Sequence, residues 1–308
     1  MSKILAVFGA TGQQGGSIID YVLKDPDLSK QFKIRAITRD PSKPAAKTLH
    51  QKGVEVVAGD MDNKNSLEQA LKGVHTVFAM TGGIPLTKQQ EITQGKLMAD
   101  AAVASGASFI VWSTLPDVDH ISGGKYPLVG HFDSKAEVEA YIRKLPIKSA
   151  FFAPGPFMQN FATMMAPQPT GDGSFAISSA VEPSTCLPLI DIVDDTGKFV
   201  GAILASPDKY EGKVLSAATK LYSMSEIAEI VSEKTGKKVV YQKLPVEVIS
   251  GFMPPDHADD FVQMLLWFRD FGYYGPETKE LVEWTAKQAR GELTSFEKFL
   301  EKNPLDLK

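Results

Sequence analysis

The chain has 308 residues, of which 43% are hydrophobic and 23% charged, as in an ordinary soluble globular protein of one or two domains. A net charge of −4 and a pI near 5.8 give no electrostatic footprint for nucleic acid or an anionic membrane, so we expect neither as a direct partner. The single cysteine, Cys186, excludes an internal disulfide, and no apolar run approaches the roughly 20 residues of a membrane-spanning helix.

The first half of the chain alternates apolar strands with helical stretches. A strand is predicted at residues 4–8, which leaves no room for a signal peptide, so we expect a cytoplasmic or nuclear protein. Further strands are predicted at 33–38, 54–58, 76–80, 108–113 and 148–152, and helices at 17–23, 45–51, 66–72, 89–105 and 134–144. Repeated strand–helix units predict an α/β fold with a Rossmann, doubly wound parallel sheet.

The alternation is lost beyond residue 153. Strands are predicted at 214–218 and 239–241, and helices at 227–234, 256–271 and after Ser295. Ser223 and Glu226 form the capping box that opens the helix at 227–234. We therefore expect a Rossmann domain at 1–153 and a smaller α+β C-terminal region at 154–308. The C-terminal region would contact a substrate or partner and return some segments to the Rossmann sheet.

A glycine-rich loop separates the first strand from the first helix. Its residues are Gly9, Ala10, Thr11, Gly12, Gln13, Gln14, Gly15 and Gly16, with G-x-x-G-x-x-G spacing. Small residues let a backbone approach a pyrophosphate closely, and a helix N-terminus offers free N–H groups with partial positive charge. An ordinary glycine-rich turn is the alternative, but the flanking strand and helix favour a dinucleotide site.

The loop after the second strand carries Arg39, Asp40 and Lys43. An arginine with a nearby lysine suits a ribose 2′-phosphate, whereas an acidic side chain accepts from a 2′-hydroxyl. The two cations therefore favour NADP(H) over NAD(H), although Asp40 is able to take the acceptor role. The alternative is a basic pair in a surface loop.

Three further strand ends carry candidate residues, since ligands bind at the carboxyl ends of the strands of such a sheet. They are Asp60 and Met61 after the third strand, Thr81, Gly82 and Gly83 after the fourth, and Ser113 and Thr114 after the fifth. Asp60 is placed to accept from an adenine amine, or to cap a helix. The small residues after the fourth strand lie where a cofactor must pass. The two hydroxyls suit a substrate or nicotinamide contact, or a helix cap.

A reductase of this fold often uses a tyrosine with a lysine four residues later, and none of the eight tyrosines has one. In that region stand His131 and Lys135, four residues apart. A lysine there would bond the nicotinamide ribose, and a histidine would move a proton. The alternative is a histidine near a helix start and a surface lysine. No metal-ligand spacing, nucleophile elbow or Walker lysine is found, which argues against a metal site, a hydrolase or a kinase.

Together these residues resemble the NmrA-like family of atypical short-chain dehydrogenase/reductases, and most of all its NADPH-sensing members. The motifs that carry the resemblance lie at residues 9–16, 38–41, 59–60, 94–96, 99–100 and 131–135, and the likeness covers nearly the whole chain. The resemblance implies an NAD(P)-binding Rossmann domain with a small α/β C-terminal domain. One departure is Thr93, where some members carry a lysine that contacts phosphate or ribose.

The resemblance also implies a role for each matching residue. The phosphate loop falls on residues 9–14, the 2′-phosphate contacts on Arg39 and Lys43, and the adenine contacts on Asp60 and Met61. Residues 81–83 are implied along the cofactor, and Lys135 is the family lysine. The nicotinamide-side loop falls on Phe157, Met158, Gln159 and Asn160.

Two functions from different classes stay open. In the first, the protein is an NADP(H)-responsive sensor whose occupancy changes its contacts with a protein partner, which the missing tyrosine favours. In the second, it is an NADPH-dependent reductase of a small carbonyl, quinone or imine compound, which Lys135 and His131 keep open. A homodimer is left open in both.

Overall fold

The computed structural model describes residues 2–82 and 86–307. The strands are β1 (Lys3–Val7), β2 (Phe32–Thr38), β3 (Glu55–Ala58), β4 (Thr76–Ala79), β5 (Phe109–Ser113), β6 (Lys148–Pro154), β7 (Gln168–Pro169), β8 (Phe175–Ser179), β9 (Cys186–Leu189), β10 (Val214–Ala217), β11 (Lys220–Ser223) and β12 (Val239–Lys243). The helices of the first half are α1 (Gln13–Lys24), α2 (Leu28–Gln31), α3 (Pro44–Gln51), α4 (Lys64–Ala70), α5 (Lys88–Ala104), α6 (Val118–Ile121) and α7 (Gly130–Ile142). Those of the second half are α8 (Thr196–Ala205), α9 (Pro207–Tyr210), α10 (Met224–Thr235), α11 (Val246–Ser250), α12 (Pro255–Phe271), α13 (Thr278–Ala286) and α14 (Phe296–Lys302), and a 3-10 turn spans Met158–Ala162.

A seven-stranded parallel sheet forms the centre of the molecule, in the spatial order β10-β6-β5-β4-β1-β2-β3. The predicted α/β class and all six first-half strands are confirmed. The order reverses between β1 and β4, and this switch point is where open α/β sheets bind ligands. The strand predicted at 214–218 is β10, which pairs with β6, so the second half of the chain supplies one edge of the Rossmann sheet.

Both faces of the sheet are covered, and successive strand residues therefore enter different cores. In β1, Leu5 and Val7 pack with α1 and α8, whereas Ala6 packs with α4, α5 and α7 on the other face. Continuous apolar strands are expected when both faces are buried. Helix α8 approaches α1 very closely, because a Cβ on its Gly197 would lie 2.3 Å from the Cβ of Tyr21.

A third core holds the C-terminal region together. It is built around Trp267, Tyr222 and Phe296, with β8 between β7 and β12 on one side and β9 paired with β11 on another. The predicted capping box is confirmed, since Ser223 caps α10 and Glu226 bonds back to it. Among the residues that the structure describes, no helix is both long and apolar enough to cross a membrane.

Candidate functional site

The glycine loop is built so tightly that two of its positions have no room for a side chain. Gly9 has φ +62°, a left-handed conformation that favours glycine, and a Cβ there would lie 2.6 Å from Met80 Sδ. A Cβ on Gly15 would lie 2.4 Å from the carbonyl oxygen of Gly9. Gly12 N–H donates to the same oxygen at 2.9 Å, which closes the turn. The loop is therefore held against the ends of β1 and β4.

The N-terminus of α1 lies within this loop and is not capped by a side chain. Its N-cap residue, Gly12, has no side chain to accept from the first-turn N–H groups, and Thr11, Gly12 and Gln13 are exposed. Ala10 is buried beneath them, and Ser113 Oγ donates to Gln14 Oε1 at 2.9 Å, which ties the helix to the end of β5. Exposed N–H groups on a glycine-lined helix start fit a pyrophosphate.

The basic pair after β2 faces solvent. Arg39 and Lys43 are exposed, and neither forms a salt bridge within residues 2–82 and 86–307. Asp40 is engaged with its own loop, since its carboxylate accepts from Ser42 Oγ at 2.6 Å and from Ser42 N–H at 2.9 Å. These bonds lower the pKa of Asp40. Neither cation is thus held in a salt bridge, while one oxygen of the competing acceptor, Asp40 Oδ1, is engaged by Ser42.

Asp60 does not cap the following helix. The N-cap of α4 is Asn63, whose side chain accepts from Ser66 N–H, so the helix-cap alternative for Asp60 is wrong. The Asp60 carboxylate instead accepts from Asp62 N–H at 3.1 Å and is exposed. Met61 is half-buried against the core on the α4–α5 face of the sheet.

Lys135 lies in a buried polar cluster at the end of β4. Its Nζ donates to Thr81 Oγ1 at 2.9 Å and forms an ion pair with Glu91. Thr81 donates in turn to Glu91 Oε1 at 2.5 Å, and Ser134 Oγ donates to the other carboxylate oxygen. The side chains of Lys135 and Glu91 are only 13% and 3% exposed. The surface-lysine alternative for Lys135 is therefore wrong.

Close packing of α5 against α7 brings Glu91 to Lys135. Gly95 lies one turn after Glu91, and a Cβ there would meet Val138 Cγ2 at 2.6 Å. Burial lowers the pKa of Lys135, although the charge of Glu91 raises it. Burial also opposes ionisation of Glu91, but the charge of Lys135 and the three hydrogen bonds outweigh it, so the pKa of Glu91 is lowered. The cluster is a charged pair removed from water, an arrangement typical of functional sites.

His131 lies in the same helix as Lys135, because α7 begins earlier than predicted, but it contacts a different partner. Its Nδ1 lies 2.5 Å from Asp260 Oδ1 of α12, and its ring packs edge-on against Phe132. Lys135 faces α5 instead. The structure therefore brings Lys135 together with Thr81, whereas His131 joins α7 to the C-terminal region.

The turn after β6 divides its four candidate residues between different surroundings. Met158 is fully buried in the C-terminal core, whereas Phe157 is half-buried against the core beside β1 and α1. Gln159 Nε2 donates to Asp191 Oδ1 at 2.7 Å, and Asn160 N–H donates to the Phe157 carbonyl at 3.0 Å. Asn160 and Gln159 are half-buried.

The remaining predicted positions are placed as follows. Gly82 is exposed beside buried Thr81, and Gly83 lies outside the described residues. Thr114 is buried and its N–H donates to the Phe152 carbonyl at 2.9 Å. Thr93 is exposed on α5, where its hydroxyl donates to the Gln89 carbonyl at 2.8 Å.

Three functional candidates were missed from the sequence: Glu91, Ser134 and Asp260. The sequence contains a pattern that points to Glu91. It is the one carboxylate on a helical face whose other residues, Gly95, Met98, Ala99 and Ala102, are small or apolar and are all buried. No sequence pattern points to Asp260, since it contacts His131 from 129 residues away along the chain.

In the part of the chain that the structure describes, no tyrosine hydroxyl is bonded to Lys135. Each of the eight is committed elsewhere. Their partners are Arg290 (Tyr21), Asp270 (Tyr126), Asp100 (Tyr141), Gln288 (Tyr210), Phe296 (Tyr222), Val181 (Tyr241), Pro154 (Tyr273) and Ala153 (Tyr274).

Comparison with known proteins decides the family. The model of the NmrA-like family matches residues 1–300. The chain belongs to the NmrA-like family. An NmrA-like family domain-containing protein of Dictyostelium discoideum is 32% identical over 315 residues, which cover 98% of each chain. The NmrA-like family domain-containing oxidoreductase FrzB of Cladobotryum sp is 28% identical over 302 residues, covering 91% of this NmrA-like chain and 88% of FrzB.

Solved structures share the fold of this NmrA-like protein. NmrA, a negative transcriptional regulator crystallised with NADP, has a TM-score of 0.81 at 24% identity and covers 99% of this chain and 98% of its own. The triphenylmethane reductase of Citrobacter sp., complexed with NADP(H), has a TM-score of 0.78 at 24% identity. The match covers 97% of this chain and 99% of the reductase chain. At such identities the likeness establishes the fold.

Proposed function

We propose that this NmrA-like protein binds NADP(H) and responds to the NADPH/NADP⁺ ratio through its contacts with a protein partner. The observation that carries the cofactor assignment is the pair of exposed cations beyond β2, beside an uncapped glycine-lined helix start. NmrA and the triphenylmethane reductase, which share the fold, were both crystallised with this cofactor.

Preference for the 2′-phosphate follows from the loop at residues 39–43. A charge-assisted hydrogen bond contributes on the order of 1.5–3 kcal/mol. Arg39 and Lys43 are both exposed, and neither has a salt-bridge partner among the described residues. The Asp40 carboxylate is bound to Ser42, which supports the same preference.

Calorimetric titration with NADPH and NADH tests the assignment. We expect the wild type to bind NADPH more tightly than NADH. Arg39→Ala should lower the ratio of the two dissociation constants, Kd for NADH over Kd for NADPH, by about tenfold or more. Lys47→Ala is the matched control, because Lys47 is an exposed cation of the adjoining helix α3, one turn after Lys43. Equal affinities of the wild type for the two cofactors would contradict the proposal.

The sensor role is supported by what surrounds Lys135. Each tyrosine hydroxyl is committed to another partner, and His131 contacts Asp260, so a proton donor of the usual kind is missing beside the lysine among the described residues. Hydrogen exchange measured with saturating NADPH and with saturating NADP⁺ provides the test. We expect the two cofactors to protect α7 and α12 to different degrees, and identical profiles would contradict a sensor.

A reductase is the second candidate, favoured by the buried ammonium of Lys135 at the end of β4. FrzB and the triphenylmethane reductase carry oxidoreductase names, which supports this candidate. NADPH oxidation assayed over quinones, aldehydes, imines and triphenylmethane dyes separates the two functions. Turnover that depends on Lys135 would establish the reductase.

A further inference from the structure

We propose that Glu91 is the positioning residue for Lys135, holding its ammonium in place so that one N–H is presented to the nicotinamide-side ribose. This inference rests on the NADP(H) binding proposed above. It adds a residue of α5 to a site otherwise assigned to strand ends and α7.

The hydrogen bonds around Glu91 define the direction of the lysine. The carboxylate accepts from Thr81, Ser134 and Lys135, and so has a donor from β4's end and two from α7. An ammonium has three N–H groups. Glu91 takes one and Thr81 takes a second at 2.9 Å, and within residues 2–82 and 86–307 the third has no protein acceptor. That third N–H is available to a ligand.

The cluster lies at the same edge of the sheet as the glycine loop. Thr81 directly follows Met80, whose sulfur occupies the place where a Gly9 Cβ would point. Trp112 of β5 donates its indole N–H to the Lys135 carbonyl at 3.0 Å, which fixes α7 against the neighbouring strand. A dinucleotide extending from the α1 N-terminus along the ends of β4 and β5 therefore passes the lysine.

The buried pair is one of several ion pairs between α5 and α7. The same two helices are joined at the surface by Lys96 and Glu137, 2.7 Å apart with side chains 34% and 48% exposed. A surface pair loses little hydration, whereas a buried pair loses much and is often no more stabilising than apolar residues. The burial of Glu91 and Lys135 is thus better explained by a role in holding the Lys135 ammonium at the edge of the sheet where the cofactor is proposed to bind.

The test compares Glu91→Gln with Glu137→Gln, which removes a carboxylate from the exposed pair between the same helices. Two ligands are titrated, NADPH and adenosine 2′,5′-bisphosphate, which contains the 2′-phosphate but no nicotinamide ribose. We expect Glu91→Gln to weaken NADPH binding about tenfold or more and to leave adenosine 2′,5′-bisphosphate within about twofold. Glu137→Gln should leave both within about twofold.

A second comparison covers the case in which Glu91→Gln alone does not fold. The double variant Glu91→Gln/Lys135→Met removes both buried charges, and the single variant Lys135→Met leaves the Glu91 carboxylate with its donors Thr81 and Ser134. If Glu91 acts through the lysine, the double variant binds NADPH as the single Lys135→Met variant does.

The outcomes separate this inference from the proposed function. Equal weakening of both ligands by Glu91→Gln, no weakening of NADPH, or additive losses in the double variant would each overturn the positioning role. A wild type that binds adenosine 2′,5′-bisphosphate as tightly as NADPH would also overturn it, while cofactor binding would stand. A wild type that binds neither ligand would overturn the proposed function itself.

Discussion

Gly15 and Gly16 are adjacent in α1, yet an alanine should be tolerated much less well at Gly15 than at Gly16. A Cβ on Gly15 would lie 2.4 Å from the Gly9 oxygen, 2.6 Å from the Gly9 carbonyl carbon and 2.8 Å from the Ala10 Cα. All three are backbone atoms, so no flexible side chain is able to move aside. A Cβ on Gly16 would meet only the Ala10 oxygen, at an ordinary 3.8 Å.

The size of the difference follows from these distances. Replacing glycine by alanine inside a helix stabilises it by about 1 kcal/mol, and this gain applies to both positions. At Gly15 the helix must also move away from the loop, and overpacking of this kind costs about 1–3 kcal/mol. Gly16→Ala should therefore be as stable as the wild type or more so, with Gly15→Ala about 1–3 kcal/mol less stable than Gly16→Ala.

Urea unfolding followed by circular dichroism measures this difference, since the midpoint shifts while the slope stays constant for a local change. NADPH titration of the same two variants adds a functional readout, because movement of α1 displaces the N–H groups proposed to bind the pyrophosphate. We expect weaker binding for Gly15→Ala and unchanged binding for Gly16→Ala. Equal unfolding midpoints for the two variants would refute the close contact between the loop and the helix.

Two further predictions concern other parts of the molecule. Gly12→Val places its Cβ 3.3 Å from the Gly9 oxygen at an exposed position, so we expect a loss of about 1 kcal/mol or less in unfolding free energy. In titrations, the same variant should lose at least about tenfold in NADPH affinity. Unchanged affinity would show that the loop is only a turn. Hydrogen bonds from Arg290 lower the pKa of Asp25 from 3.8 to about 2, so the carboxylate stabilises the fold above pH 4 and this contribution is lost as the pH falls toward 2. Because the pair is partly solvated, Asp25→Asn should lower the unfolding free energy by about 1–2 kcal/mol at neutral pH and by less below pH 4. A difference in unfolding free energy between the variant and the wild type that does not change with pH would contradict this assignment.

The sequence predicts best what local physics determines. The glycine loop is found because a strand, a tight turn and a helix follow one another directly, and the ends of β2 and β4 are found because parallel strands align their carboxyl ends. Glu91 lay within reach of the same reasoning, since a lone carboxylate on a buried helical face needs a charged partner. The contact of His131 with Asp260 is not predicted from the sequence, because Asp260 is supplied by α12, which no local pattern places beside α7.

The C-terminal region was harder to predict because its strands are short and depend on distant partners. β8 has five residues and pairs with β12, about 60 residues later. β9 has four residues and contains Pro188, which weakens its strand signal. Helix α10 was found because its capping box is a local feature. Helix α8, with Gly197 and Gly201 packed on Tyr21, was missed because its glycines lower helix propensity while serving a tertiary contact.

The position of β10 at the edge of the sheet has a consequence for synthesis of the protein. β6 ends at Pro154 and its outer neighbour begins at Val214, so the ribosome makes about 60 residues between the two. At 5–20 residues per second this takes about 3–12 s, during which β6 presents unpaired N–H and C=O groups. Another copy of the chain is able to pair with that edge in the interval. The yield of folded protein therefore depends on how quickly the C-terminal half is completed, and slower translation after residue 154 should increase aggregation.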